Sequence, residues 1–209
     1  IKAHNADIAV GCKSYIYHNS DKKDYHSVVN ETYFKLDDLF IGSANNETIE
    51  PFYFMDPSPH AKLYKTQNAL GCQFPTKIAY TDNLLYFYNL AKANKVVYTS
   101  ESLANYLVDR PNNSMSDMKP RAIEANMKVI ESIIRNCENK KVMNDLLAYR
   151  LFESFKWDIS LENKTTQSLS EKKAQAKEFA FMLNLFKRYP SLLTYYKKYN
   201  KSGFMERYR

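Results

Sequence analysis

Between Ala6 and Tyr17 apolar and polar side chains alternate: Ile8, Val10, Cys12 and Ile16 fall on one side, Lys13, Tyr15 and Tyr17 on the other. A period of two marks a strand with one dry and one wetter face. The polar run from His18 to Asp24 reads as an exposed turn, and Tyr25 to Tyr33 is predicted to return beside the first strand as a hairpin. Leu36 to Ile41 is apolar on one side, and Gly42 to Glu50 reads as a loop of small and amide side chains near a site entrance. Pro57 and Pro59 forbid regular helix on the approach to His60, because proline fixes its own φ and drives the preceding residue towards extended geometry. Lys62 to Leu70 then reads as a short helix. Leu84, Leu85, Phe87, Tyr88 and Ala91 recur at helical spacing, which predicts a helix over Asp82 to Ala93. Lys95 to Thr99 and Leu103 to Val108 read as two extended segments.

Beyond Ser116 the pattern turns helical. Ile123, Met127, Ile130 and Ile134 make one apolar stripe, and Met143, Leu147 and Leu151, flanked by Leu146 and Phe155, make a second. Ser168 and Glu171 have the spacing of a capping box, ahead of a third stripe of Ala176, Phe179, Ala180, Leu183 and Phe186. Pro190 ends that helix, and Leu192, Leu193, Tyr196 and Tyr199 open the last. The expected organisation is a mixed lobe over residues 1–116 and a helical lobe over 117–209, an α/β chain that taken by itself is mixed α+β.

Composition narrows the class. With 44% hydrophobic residues, 17 tyrosines and 12 phenylalanines against 4 glycines, the chain is globular and not low-complexity. Tyrosine offers an apolar ring and a polar tip, which suits core edges and sugar-contacting platforms. The net charge of +7 favours an anionic partner without choosing one. No uninterrupted apolar run is long enough to span a bilayer. Cys12, Cys72 and Cys137 are widely spaced and odd in number, so neither a zinc knuckle nor a disulfide framework is indicated, and a reducing cytoplasm is the expected compartment. No Gly-rich phosphate loop, His-Glu-x-x-His or Gly-x-Ser-x-Gly occurs.

The densest information lies between Pro59 and Asp82. Pro-His-Ala-Lys-Leu-Tyr-Lys (59–65) is followed by Phe74-Pro75 and then Tyr80-Thr81-Asp82. This series resembles the acceptor side of the family-2, GT-A type bacterial glycosyltransferases, which carry a Lys-Leu-Tyr-Lys segment, a Phe-Pro turn, and a Glu-Asp pair whose Asp is the catalytic base. The pair here reads Thr81-Asp82, so the Asp is kept and its acidic neighbour is not. Arg110 and Asn113-Ser114 resemble the Arg and Asn-Ser turn that follow in the same family, although the Arg common two positions earlier is Val108. The likeness covers about residues 4 to 116.

The resemblance implies transfer of a sugar, with inversion, from a nucleotide-diphosphate sugar to a glycan or lipid-linked acceptor in surface polysaccharide assembly. It also implies a divalent metal, Mn or Mg. The nucleotide-binding strand and the Asp-x-Asp metal motif would precede residue 1, so the chain reads as a carboxy-terminal portion with little turnover alone and with the metal ligands mostly outside it. Asp82 is then the base that takes the acceptor proton, within hydrogen-bond reach of the hydroxyl. Taken alone, an Asp ahead of an apolar helical run is an ordinary N-cap, and the motif context decides for the base. His60 is a candidate acceptor or metal contact, set against the role of a packed or hydrogen-bonded histidine. Lys62, and less so Lys65, can offset charge on the departing diphosphate. Arg110, Asn113 and Ser114 can bind phosphate.

From Lys187 to Arg209 basic residues alternate with Tyr195, Tyr196, Tyr199, Phe204 and Tyr208. Such a segment can lie on an anionic membrane at the inner face of the cell, or can pack its aromatics against its own lobe. The rival to an enzyme is therefore a basic helical module that docks a membrane or a protein. Nucleic acid is not indicated, since no binding motif accompanies the charge.

Overall fold

The computed structural model describes residues 1–108, 120–162 and 169–199. It is a mixed α+β structure that divides into two compact units, Ile1–Val142 and Met143–Arg209. The units therefore meet one helix later than the change of pattern at Ser116, because the first long helix after it packs back onto the mixed unit.

The first unit is built on a sheet of β1 (Ile8–Tyr17), β2 (Lys23–His26), β3 (Leu39–Ser43), β4 (Lys62–Tyr64) and β5 (Lys95–Val108). The order is β2-β1-β5-β3. The β1–β5 pair is parallel and the others antiparallel, with β4 on β1 over Ile8 to Val10 and β2 on β1 over Lys13 to Ile16. The hairpin expected after Tyr17 is present, but its second strand is Lys23–His26, starting earlier and ending sooner than Tyr25 to Tyr33.

Two expectations are corrected. Lys62–Tyr64 is a strand, not the start of a helix, and only Thr66–Ala69 (α2) is helical. Ala61 enters β4 in the left-handed region, φ 56°, and its carbonyl accepts from Gly11 N at 2.8 Å, so pairing with β1 decides the conformation. The two extended segments after Lys95 are one strand. Val10 faces Tyr98, Cys12 faces Ser102 and Lys13 faces Ala104, so β5 uses extra residues at bulges and curls without breaking.

Helix α1 (Glu50–Tyr53) packs against β3, and α3 (Thr81–Lys92) packs against α1, α2 and α4 (Pro120–Asn139). Enclosed in this way, α3 buries Leu84, Tyr86, Phe87, Tyr88, Asn89 and Leu90, the apolar ones worth about 2 to 3 kcal/mol each. The Tyr86 hydroxyl donates to Phe52 O at 2.6 Å, which satisfies its polar end in the core. The stripe on α4 is as expected at Met127, Ile130 and Ile134, and Asn136 clamps the loop before α3 by accepting from Gln73 N and donating to Gln73 O.

The second unit holds α5 (Asp145–Glu162), α6 (Leu169–Arg188) and α7 (Leu192–Tyr199). Leu146, Leu147, Leu151 and Phe155 of α5 are buried, and Tyr149 stacks on Tyr195 and Tyr199. The face of α6 is rotated from the expected one: Glu178, Met182 and Leu185 are buried, while Ala176, Ala180 and Leu183 are exposed. The aromatic pairs Phe155–Phe181 and Phe152–Phe186 fix that rotation. Ser168 of the proposed capping box lies outside the described residues.

Candidate functional site

The segment that carries β4 and the start of α3 bring the sequence candidates together. Asp82 lies in the first turn of α3, after Tyr80 in the left-handed region at φ 62°. It is partly exposed and lies inside the first turn, where Tyr80 and not Asp82 holds the N-cap position, so the ordinary N-cap role is not the one it fills. The charge of Asp82 is felt at His60, Lys62 and Tyr64, which brings all three into one electrostatic neighbourhood with it.

Lys62 is buried, with 8% of its surface exposed. Its Nζ donates to Ser58 O at 2.6 Å and lies 5.2 Å from the centroid of the Tyr86 ring. Burial, reinforced by repulsion from Lys13, pulls its ammonium down to about 8, against the opposing pull of Asp56 and Asp82. Tyr64 is displaced the other way: burial and then the Asp82 charge push its hydroxyl well above the ordinary tyrosine value. His60 is half-buried and held below the usual histidine range, first by burial and then by the Lys13 charge. Its Nδ1 is buried with no hydrogen-bond partner among the described residues.

Residues not singled out from the sequence complete the site. Lys13 of β1, buried in the sheet, donates to Asp56 Oδ2 at 2.6 Å and to Ser58 Oγ at 3.0 Å. Asp56 also accepts from Ser58 N at 2.9 Å. Burial alone would raise the Asp56 carboxyl, but these bonds and the charges of Lys13 and Lys62 hold it below the usual carboxylate range. The Asp56–Pro57–Ser58 turn thus links two lysines, Lys13 through side chains and Lys62 through the Ser58 carbonyl. The sequence held one signal for this: Lys13 on the wetter side of the first strand. Nothing in it linked Lys13 to a carboxylate 43 residues away.

Lys65 belongs elsewhere. Its Nζ lies 3.0 Å from Asp7 Oδ1, and Asp7 also accepts from the backbone of Asn94 and Lys95. Lys65 ties β4 to the start of β5 and stands outside the Lys13–Asp56–Lys62 cluster. Arg110, Asn113 and Ser114 lie outside the described residues. Of the basic terminal segment, Lys187, Arg188, Lys197 and Lys198 are exposed, whereas Tyr196 and Tyr199 are buried.

Among the described residues no group of three or more His, Cys, Asp or Glu side chains is placed to hold a metal ion, so the divalent metal that the resemblance implies has no ligand set there. No described helix is long and apolar enough to cross a membrane. No family model matches the chain, and no curated protein matches it.

Proposed function

We propose that this chain forms the acceptor side of a GT-A type glycosyltransferase, in which Asp82 is the base for transfer of a sugar from a nucleotide-diphosphate donor to a glycan or lipid-linked acceptor. The observation that carries the reading is that the charge of Asp82, at the head of α3, acts on His60 and on Lys62 and Tyr64 of β4. A partly exposed carboxylate that does not hold the N-cap position is compatible with a general base.

The acceptor oxygen attacks the anomeric carbon while its proton passes to an Asp82 carboxylate oxygen. The bond from that carbon to the diphosphate oxygen breaks, and the electron pair leaves with the diphosphate. Lys62 supports growing negative charge from a buried position, where a cation acts more strongly than in water. An arriving anion in turn favours the protonated ammonium. The Lys13–Asp56 pair holds the turn from which Lys62 is fixed.

The test is release of nucleoside diphosphate by the full-length protein with Asp82→Asn. General-base loss is expected to lower turnover by about 100-fold or more, with the fold intact by circular dichroism. Wild-type turnover in the folded variant rejects the assignment.

A further inference from the structure

The second unit carries a charge pattern that the transfer chemistry does not use. Along α6, Lys173, Ala176, Ala180, Leu183 and Lys187 recur at alternating three- and four-residue steps, which places them on one face. All five are exposed, Leu183 by 43%. The opposite face is held against α5 by the Phe155–Phe181 and Phe152–Phe186 pairs, whose ring centroids are 5.4 and 4.7 Å apart. The acidic Glu178 is buried on that side with Met182 and Leu185. Lys172, Lys177 and Arg188 are exposed beside the outer stripe, and α7 adds Lys197 and Lys198. Among the described side chains of α6 and α7, no carboxylate is exposed.

Lys187 and Arg188 lie in the last turn, where a cation complements the helix dipole. Lys172 lies in the first, where a cation opposes it, so helix stability does not account for its placement. From Lys173 to Lys187 the row runs about 21 Å along the axis, at about 1.5 Å per residue. Between its basic ends it presents two alanines and a leucine. Alanine is too short to hold an approaching surface away, and lysine stems can lie along apolar matter while their ammonium groups reach anions. Nucleic acid is gripped by cations together with polar donors and stacking rings, and this stripe has neither amide nor ring. A lipid headgroup layer asks only for cations around an apolar strip. The surface is not the terminal segment that the sequence suggested, because Tyr196 and Tyr199 are buried and cannot enter a bilayer.

We propose that the outer face of α6 docks the protein on an anionic lipid bilayer, with its lysines on acidic headgroups and Leu183 at the headgroup boundary. The inference does not depend on the role of Asp82.

Cosedimentation of the 209-residue chain with vesicles tests it, using phosphatidylcholine alone and an equal mixture of phosphatidylglycerol and phosphatidylcholine. Binding to the mixed vesicles and not to phosphatidylcholine is expected at about 0.1 M salt. It is lost at about 1 M, where charges act over about 3 Å instead of about 10 Å. Each cation near an acidic membrane adds about fivefold to binding, so Lys173→Gln, Lys177→Gln and Lys187→Gln together lower it about 100-fold. Lys2→Gln, Lys23→Gln and Lys35→Gln together remove the same charge from exposed sites of the first unit and keep most of the binding. Leu183→Ser lowers it severalfold. Circular dichroism matching wild type qualifies each variant; if the α6 triple variant fails to fold, Lys187→Glu alone, with a loss of about tenfold or more, decides. No binding to the mixed vesicles, equal binding to phosphatidylcholine, an equal loss in both triple variants, or a Leu183→Ser chain that binds as wild type overturns the proposal. A DNA duplex and polyglutamate are run alongside. Capture of either more tightly than the vesicles, lost in the α6 triple variant, gives the face to that partner and overturns the proposal too. None of these results bears on Asp82, which is read from turnover.

Discussion

Replacing Lys62 by Met removes a buried charge while keeping most of the apolar stem, and its consequence can be worked from the structure. Burial pulls the ammonium from 10.5 to about 8. At about 1.4 kcal/mol for each tenfold change, protonated Lys62 costs the fold about 3 kcal/mol near neutral pH. Between about 8 and 10.5 the unfolded chain holds a proton that the folded chain has released, so this cost fades and stability rises with pH. The substitution also leaves Ser58 O without its 2.6 Å donor, a loss of about 1 kcal/mol. Lys62→Met is therefore expected to be about 2 kcal/mol more stable near pH 7, and the advantage shrinks by about 3 kcal/mol as the pH rises past 10. Urea unfolding followed by circular dichroism at several pH values, read as variant minus wild type, measures this. A difference that stays constant, or that grows with pH, refutes the assignment of a depressed lysine at this position.

Other outcomes follow from the same geometry. Lys13→Met strands the Asp56 carboxylate, which is 28% exposed at its side chain, and is expected to cost about 3 kcal/mol in chemical unfolding; Lys13→Met with Asp56→Leu recovers most of it. Because the Asp56 carboxyl is held below its ordinary 3.8, the pair's contribution is present above that value and is lost as pH falls through the folded one, so acid unfolding of Asp56→Asn begins from lower stability but with a shallower slope. Gly42→Ala is expected to cost more than Gly11→Ala in thermal unfolding. The new Cβ at position 42 meets Phe52 Cε2 at 2.5 Å and the Thr48 backbone oxygen at 2.8 Å, whereas at 11 it meets only the yielding Leu103 side chain. Asn136→Leu breaks both bonds to Gln73 and leaves that backbone unpaired, an expected loss of about 2 kcal/mol by the same measurement.

The elements that were legible in the sequence are those whose periodicity is set within the element itself. The extended run of β1 and the helical spacing of α3 and α5 are found, but the wetter face expected for β1 is not: Val10 to Ser14 are all buried, Lys13 among them, because β2, β4 and β5 all pair with this strand. β4 was not legible: three residues carry no period, and β1 alone decides that Lys62–Tyr64 is extended. The break read between Thr99 and Leu103 is a pair of bulges, invisible without the partner strand. The apolar residues of α6 put its inner face on Ala176, Ala180 and Leu183, yet Glu178 lies inside and Leu183 outside, because aromatic contacts from α5 set the rotation. In the site, His60, Lys62 and Asp82 were visible as a motif. Lys13 and Asp56 were not, since only tertiary folding brings them together.

Ala61, Lys77 and Tyr80 all adopt left-handed backbone angles, at φ 56°, 58° and 62°, where glycine would be the easier choice. Each carries roughly 1 kcal/mol of strain. Two of them flank the candidate residues: Ala61 separates His60 from Lys62, and Tyr80 precedes the helical turn that carries Asp82. The aim of the carboxylate is thereby written into main-chain torsions and not into a side-chain tether. Tyr80→Gly would relax the bend and at the same time let the carboxylate wander, so a sturdier molecule would be a less accurate one.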